Sequence, residues 1–177
     1  MSILHTKRLE LRPIVLKDAP YILKQLNDPG WLKYIGDRNV HSIKDAENYI
    51  KTKIFVTVEK NDGVFFVVAL KDASETDESI IGQCGLFRRD GLDYHDIGFS
   101  FLENYCGNGY GYEAATAVLD YSIKKGNKKI VAITSDDNLP SQALLKKLGM
   151  TYTKDVILPK IDGNNRYFEF LESPITQ

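Results

Sequence analysis

Cys106-Gly-Asn-Gly-Tyr-Gly111 places three glycines at alternate positions between two segments of different character. Residues 96–102 alternate enough to predict a strand, whereas Ala114 and Val118 recur at helical spacing. Glycines at a strand-to-helix turn adopt positive φ without a Cβ clash and let a ligand approach the backbone. The first amides of the helix lack intrahelical acceptors and lie at the positive end of its dipole. The segment therefore predicts a loop that binds a phosphate or pyrophosphate.

The glycine spacing differs from that of the two commonest phosphate loops. No Gly-Lys-Ser or Gly-Lys-Thr closes the segment, as a P-loop would require, and a dinucleotide fingerprint spaces its glycines as Gly-x-Gly-x-x-Gly. Asp136 and Asp137 could act as the acidic residue of a dinucleotide fold, but they come later than the usual ~20 residues. A Rossmann-type oxidoreductase and a turn that only reverses the chain are the two alternatives.

Length and composition indicate a single globular domain over residues 1–177. The chain is 43% hydrophobic and 27% charged, and its 23 Lys and Arg balance 24 Asp and Glu. This balance gives no reason to expect nucleic acid or an anionic membrane as a partner. No apolar run is long enough to cross a bilayer, and the N-terminus lacks the apolar stretch of a secretory signal. Cys84 and Cys106 are expected to be free thiols, so we expect a cytoplasmic protein.

Hydrophobic periodicity predicts the element order β-α-α-β-β-β-α-β-α-β-β. The expected strands are residues 8–13, 64–70, 80–87, 94–102, 129–134, 150–158 and 166–171, and the expected helices are 17–26, 42–54, 111–125 and 139–148. Turns are expected at 27–30, 61–63 and 162–164, with an acidic loop at 72–79. Because hairpins dominate the middle of the chain, the order predicts an α/β fold with a mixed sheet and helices packed on it.

Three motifs follow one another along the chain. They are Thr6-Lys-Arg-Leu-Glu-Leu-Arg-Pro13 with Asp18-Ala19, then Ile97-Gly-Phe99 leading to the glycine loop and Glu113-Ala114, and finally Asn138-x-x-Ser141 ending in Lys147-Leu-Gly-Met150. Together they resemble the GNAT superfamily of acyl-CoA-dependent N-acetyltransferases, and its RimJ/RimL-like branch most closely. The resemblance implies a mostly antiparallel sheet with helices on both faces. It also implies transfer of an acetyl group from acetyl-CoA directly to a primary amine.

The resemblance further implies where acetyl-CoA binds. In this family the glycine-loop amides receive the pyrophosphate, and the preceding strand splays from its neighbour so that pantetheine pairs with its main chain. The thioester then lies near the strand end, where a backbone N–H can polarise its carbonyl. The implied cofactor-binding residues are Phe99, Ser100, Phe101, Leu102, Cys106, Gly107, Asn108, Gly109, Tyr110, Gly111, Tyr112, Asn138 and Ser141.

Two side chains are the implied catalytic residues. Ser141 would protonate the departing CoA sulfur, and its alternative is an ordinary first-turn serine. Asp96 would take the proton of the amine, directly or through water, and its alternative is a solvated strand carboxylate. Asn138 would contact pantetheine, cap the helix that follows it, or do both. Many relatives carry a Tyr where this chain has Leu145, which shifts the expected acid to Ser141.

Other departures from the family pattern concern the glycine loop. Cys106 replaces a large aromatic residue, and it is either a thiol activated by the helix N-terminus or a packed side chain. Asn108 replaces a basic residue, so a phosphate would lose one charge contact. Lysines at 146–147 or at 124–129 are the candidates to compensate, unless they only form a solvated face.

The acceptor has no sequence motif of its own. Trp31 and Tyr34 lie where the family shapes its acceptor pocket, and they either line it or belong to the core. His5 and His41 have no partner at metal-ligand spacing, so no metal is expected. The acceptor is a protein N-terminal amine or a small amine such as a polyamine, an amino acid or an antibiotic. A domain that binds acyl-CoA as a sensor or scaffold without turnover is the alternative of a different class.

Overall fold

The computed structural model describes residues 3–60, 63–71, 79–159, 161 and 163–171. The turns predicted at 61–63 and 162–164 and the acidic loop at 72–79 therefore lie partly or largely outside the described residues. The strands are β1 (Leu4–His5), β2 (Leu9–Pro13), β3 (Val64–Leu70), β4 (Ile80–Phe87), β5 (Asp96–Phe101), β6 (Lys129–Ser135), β7 (Thr151–Val156) and β8 (Asn165–Leu171). The helices are α1 (Ala19–Leu26), α2 (Pro29–Tyr34), α3 (Ile43–Tyr49), α4 (Val56–Lys60), α5 (Tyr110–Lys124) and α6 (Leu139–Lys147). A π-helical segment, Ile50–Phe55, joins α3 to α4.

The eight strands form one sheet in the order β1-β2-β3-β4-β5-β6-β8-β7. Every neighbouring pair is antiparallel except β5 and β6, which run parallel. The helix α5 and the loop before it form the crossover between these two parallel strands. The mixed, mostly antiparallel sheet predicted from the sequence is therefore confirmed.

Strand β3 explains why the sheet carries helices on both faces. Val64, Phe66 and Val68 pack in the cluster that contains α5, whereas Phe65 and Val67 pack in the cluster that contains α1 and α3. Successive side chains of a strand point to opposite faces, so an unbroken apolar run of this length requires cover on both sides.

Two short elements differ from the sequence prediction. Residues 27–30 were expected to form only a turn, but α2 begins at Pro29, and the Asp28 side chain caps it by accepting from the Gly30 N–H at 3.0 Å. Proline fits the first turn of a helix because its missing N–H would have no partner there. Strand β1, which the sequence did not predict, pairs Leu4 with Leu11 at the edge of the sheet.

Candidate active site

The glycine loop has the backbone that its sequence predicts. Gly107 and Gly109 both have φ of +79°, and Gly109 is the N-cap of α5. A residue with a Cβ would be strained at either position. The first bond of the helix runs from the Glu113 N–H to the Gly109 carbonyl, so the amides before residue 113 have no acceptor within the helix. Residues 106–109 are exposed, which leaves the start of α5 open to a ligand.

Gly111 serves a different purpose, because α6 approaches α5 at this point. A Cβ built on Gly111 would lie 2.9 Å from Leu144 Cδ1 of α6 and 3.5 Å from the ring of Phe101 at the end of β5. The ends of β5, α5 and α6 that carry the predicted site residues therefore meet here.

Ser141 lies one turn before Leu144 and so on the same side of α6. Its N–H donates to Asn138 Oδ1 at 3.1 Å, which confirms Asn138 as the N-cap of α6. Both residues are half-buried. The cap fixes the start of α6 beside the glycine loop, and the Ser141 hydroxyl is then carried by the first turn of a well-defined helix.

Strands β5 and β6 separate soon after they meet. Their one recorded pair within the described residues is Asp96 opposite Val131, and the Val131 N–H donates to the His95 carbonyl at 2.9 Å. On its other side β5 stays paired with β4 as far as Phe101 opposite Gly82. The edge of β5 that faces β6 is thus open along Phe99 to Phe101, as the splayed arrangement requires.

Arg8 is a cation at the glycine loop that the sequence did not reveal. Its Nε donates to Glu113 Oε2 at 2.7 Å, its Nη1 donates to the Asn108 carbonyl at 3.0 Å, and its guanidinium lies 4.4 Å from the Tyr110 ring centroid. Glu113 also accepts from the Thr6 hydroxyl at 2.6 Å and from the Arg8 N–H at 2.8 Å. Arg8 therefore places a positive charge beside the glycine loop, next to the Asn108 carbonyl.

The lysines proposed to compensate for Asn108 lie in two different places. Lys147 Nζ is 4.5 Å from the Tyr112 ring centroid, at a cleft of about 510 Å³ that also includes Arg8 and Gly109. Residues 124–129 lie instead at the far end of α5. Because this helix has 15 residues, they are about 20 Å from the loop. There, Lys129 pairs with Glu169 at 2.9 Å. The expectation that residues 124–129 compensate is wrong.

Asp96 is not solvated, so the alternative drawn from the sequence is wrong. The residue is 1% exposed, and its Oδ2 accepts from Arg89 Nε at 2.8 Å. Its Oδ1 has no hydrogen-bond partner among the described residues. Burial raises the pKa of Asp96, although the Arg89 guanidinium acts in the opposite direction. Asp96 lies at the paired end of β5, about 13 Å along the strand from Ser100, so the structure does not bring it next to Ser141.

Cys106 is an exposed thiol, and its surroundings do not activate it. Its Sγ lies 3.8 Å from the Phe101 carbonyl oxygen and 3.7 Å from that of Leu102. Burial and the carboxylates of Asp28 and Glu103 raise its pKa, whereas an activating helix N-terminus would lower it. The helix begins only at Tyr110, four residues later, so its N-terminus does not lower that pKa. Cys84, in β4, is a core residue as predicted.

Two consecutive side-chain hydrogen bonds connect α1 to β5, and the sequence did not reveal them. The Tyr21 hydroxyl donates to Gln25 Oε1 at 2.9 Å, and Gln25 Nε2 donates to Ser100 Oγ at 2.9 Å. Gln25 is fully buried, and burial of its amide without hydrogen bonds would destabilise the fold. These two bonds supply the partners. Trp31 is also buried, and its indole N–H donates to the Gly36 carbonyl at 3.1 Å, which makes it a core residue.

Comparison with known proteins decides the family. The chain matches the family described as Acetyltransferase (GNAT) domain over residues 8–151. The chain belongs to the GNAT family. The N-acetyltransferase YnaD of Bacillus subtilis (strain 168), itself described as uncharacterized, is 34% identical to this GNAT protein over 147 residues, which cover 82% of this chain and 80% of YnaD. The similarly described p20 of Bacillus licheniformis is 30% identical over 150 residues, covering 84% and 82% of the two chains.

Solved structures agree with this assignment at the level of the fold. The ribosomal L7/L12 alpha-N-protein acetyltransferase RimL, in complex with coenzyme A, superimposes with a TM-score of 0.78 at 14% identity and covers 96% of this chain and 98% of RimL. The GNAT resemblance read from three short motifs is therefore confirmed. The family and the relatives identify an acetyltransferase, which favours the enzyme over the non-catalytic sensor.

Among the described residues, no group of three or more His, Cys, Asp or Glu side chains is arranged to hold a metal ion. Across the same residues, no helix combines the length and apolar character needed to cross a membrane.

Proposed function

We propose that this GNAT protein transfers an acetyl group from acetyl-CoA directly to a primary amine. One observation carries the proposal: the open start of α5, the open edge of β5 and the Ser141 face of α6 converge where Gly111 approaches Leu144 and Phe101. The GNAT family uses acetyl-CoA, and the three features match the three parts of that substrate: pyrophosphate, pantetheine and thioester.

Different parts of the proposed donor site would bind different parts of acetyl-CoA. The amides of Gly107 to Tyr112 would receive the pyrophosphate, and Arg8 and Lys147 would add positive charge beside it. Pantetheine would pair with the open edge of β5 like an added strand, between Phe99 and Leu102. Asn138 and Cys106 would border this channel, with Asn138 keeping its role as the cap of α6.

The proposed reaction needs few side chains. A neutral amine attacks the thioester carbon, and a backbone N–H of β5 stabilises the developing oxyanion, worth ~3 kcal/mol per donor. The C–S bond then breaks, and the Ser141 hydroxyl protonates the departing sulfur while it regains a proton from solvent. The proton lost by the amine would pass to solvent water, because Asp96 is 1% exposed and lies about 13 Å along β5 from Ser100. Positioning of the two substrates could contribute about 7–11 kcal/mol.

The assay that tests this proposal measures release of the CoA thiol from acetyl-CoA with amines of several classes. Peptides with a free N-terminus test the acceptor suggested by the name of RimL, and small amines test the alternative acceptor. Turnover with any amine, retained CoA binding and a large loss of kcat in S141A would support the proposal. Binding of CoA without release of thiol in the presence of every amine would contradict it.

A further inference from the structure

One face of β5 carries two half-buried positions beside a half-exposed arginine, Arg89. Gly98 and Ser100 are both half-buried and, being two residues apart, point to the face of the sheet that carries α1. Arg89 Nη2 lies 3.8 Å from the position that a Cβ on Gly98 would occupy. Because Gly98 has no side chain, the Phe87 ring packs over it, 3.0 Å from that Cβ position, and the guanidinium lies at the side of the ring.

Arg89 is held at one end and free at the other. Its Nε donates to the buried Asp96 Oδ2 at 2.8 Å, and its guanidinium carbon is 5.7 Å from the ring centroid of Phe87. The side chain is 39% exposed, and neither Nη atom donates a hydrogen bond to another described residue. A guanidinium with its Nη edge free is suited to bind a carboxylate through two parallel N–H···O bonds.

The other end of this face of β5, at Ser100, carries a hydroxyl group, and a carboxylate lies beyond it. Ser100 Oγ is oriented by Gln25, so the hydroxyl has a fixed direction near the proposed thioester site. Beyond the end of β5, the Asp28 carboxylate lies next to the main chain, because its Oδ2 accepts from the Glu103 N–H at 3.1 Å. The Arg89–Asp96 ion pair thus lies at the Gly98 end of this face, and the Asp28 carboxylate lies beyond Phe101.

We infer that the amine acceptor of this site also carries a carboxylate, which Arg89 binds while the amine lies near Ser100. The inference rests on the proposed acetyl transfer and names its acceptor class: small amino acids rather than polyamines. Two residues of a strand span about 7 Å, so the amine and the carboxylate are expected to be separated by only a few bonds. The free Nη edge of Arg89 and the Asp28 carboxylate match the anionic and the cationic end of such a molecule.

The test compares acceptors that differ only in the carboxylate. Thiol release from acetyl-CoA is measured with glycine, β-alanine and 4-aminobutyrate, and with the carboxamide of each. We expect the wild-type protein to prefer at least one acid over its amide by tenfold or more in kcat/KM. R89Q should lower kcat/KM for that acid by about 10- to 100-fold, the loss expected for a charged hydrogen bond, and leave the amide within about threefold. R89K should recover part of the preference.

The matched control is R88Q, because Arg88 is the exposed neighbour whose Nη2 donates to the Asp93 carbonyl at 3.2 Å. It should keep the wild-type preference, and R89K replaces R89Q if the latter does not fold. Equal turnover of acids and amides, turnover of peptides or polyamines alone, or an unchanged preference in the Arg89 variants would overturn the inference while leaving acetyl transfer intact. If none of the amines causes release of thiol, the proposed function and this inference are overturned together.

Discussion

Replacing Glu113 with glutamine isolates the contact that holds the N-terminal segment to the glycine loop. One oxygen of Glu113 accepts from Thr6 and from the Arg8 N–H, and an amide oxygen can keep both bonds. The other oxygen accepts from Arg8 Nε at 2.7 Å, where glutamine would present a donor to a donor. Loss of a charged hydrogen bond costs about 1.5–3 kcal/mol. Because the Arg8 side chain is 41% exposed, we expect the lower end, about 1.5 kcal/mol.

The cost of E113Q should also depend on pH. Partial burial acts to raise the pKa of Glu113, but the bonds from Thr6 and Arg8 outweigh it and lower that pKa. A carboxyl group with a lowered folded pKa stabilises the protein above its unfolded pKa of about 4.3, and this stabilisation is lost as pH falls through the folded pKa. The difference in unfolding free energy between wild type and E113Q should therefore be constant near neutral pH and shrink below about pH 4.

Urea denaturation at pH 7, 5 and 3.5 measures both effects. The control is D120N, an exposed position on the same helix, which we expect to change stability by less than about 0.5 kcal/mol. The described contact would be contradicted if E113Q were as stable as D120N at pH 7. It would also be contradicted if the difference in unfolding free energy between wild type and E113Q were no smaller at pH 3.5 than at pH 7.

Three further substitutions test other parts of the structure. D28A removes the cap of α2 and the acceptor for the Glu103 N–H, so urea denaturation should show a loss of about 1–2 kcal/mol. L145A removes a side chain that is 1% exposed and should cost about 2–5 kcal/mol, whereas K146A on the adjacent exposed position should cost little. S141A should lower kcat by about 100-fold or more with an unchanged Kd for CoA, and a normal kcat would exclude Ser141 as the acid.

Features set by neighbouring residues were accessible from the sequence. The unbroken apolar run of β3 predicts a strand buried on both faces, and the alternating glycines predict the left-handed backbone at Gly107 and Gly109. The position of Asn138 ahead of Leu139-Pro140 predicts a helix cap, which the structure confirms. Each of these depends on steric or hydrogen-bonding preferences that operate within a few residues of chain.

Features set by tertiary contacts were not accessible. Arg8 reaches Glu113 across 105 positions, and Gln25 reaches Ser100 across 75, so neither pairing leaves a local pattern. Asp96 seemed solvated because it is a charged residue near a turn. Its burial depends on Arg89, seven residues earlier across the β4–β5 hairpin, which supplies the compensating charge. Burial of a charge is decided by its partner, and the partner is known only once the strands are paired.

Isothermal titration with CoA and, separately, with NADH tests the central claim most directly. Both ligands carry a pyrophosphate and an adenosine, whereas only CoA carries the pantetheine arm expected along β5 and a 3′-phosphate. The account predicts saturable binding of CoA with no detectable heat from NADH, and weaker binding of CoA when Gly109→Ala strains the loop at φ of +79°. Equal binding of NADH, or no binding of CoA, would contradict the assignment of this loop to an acetyl donor.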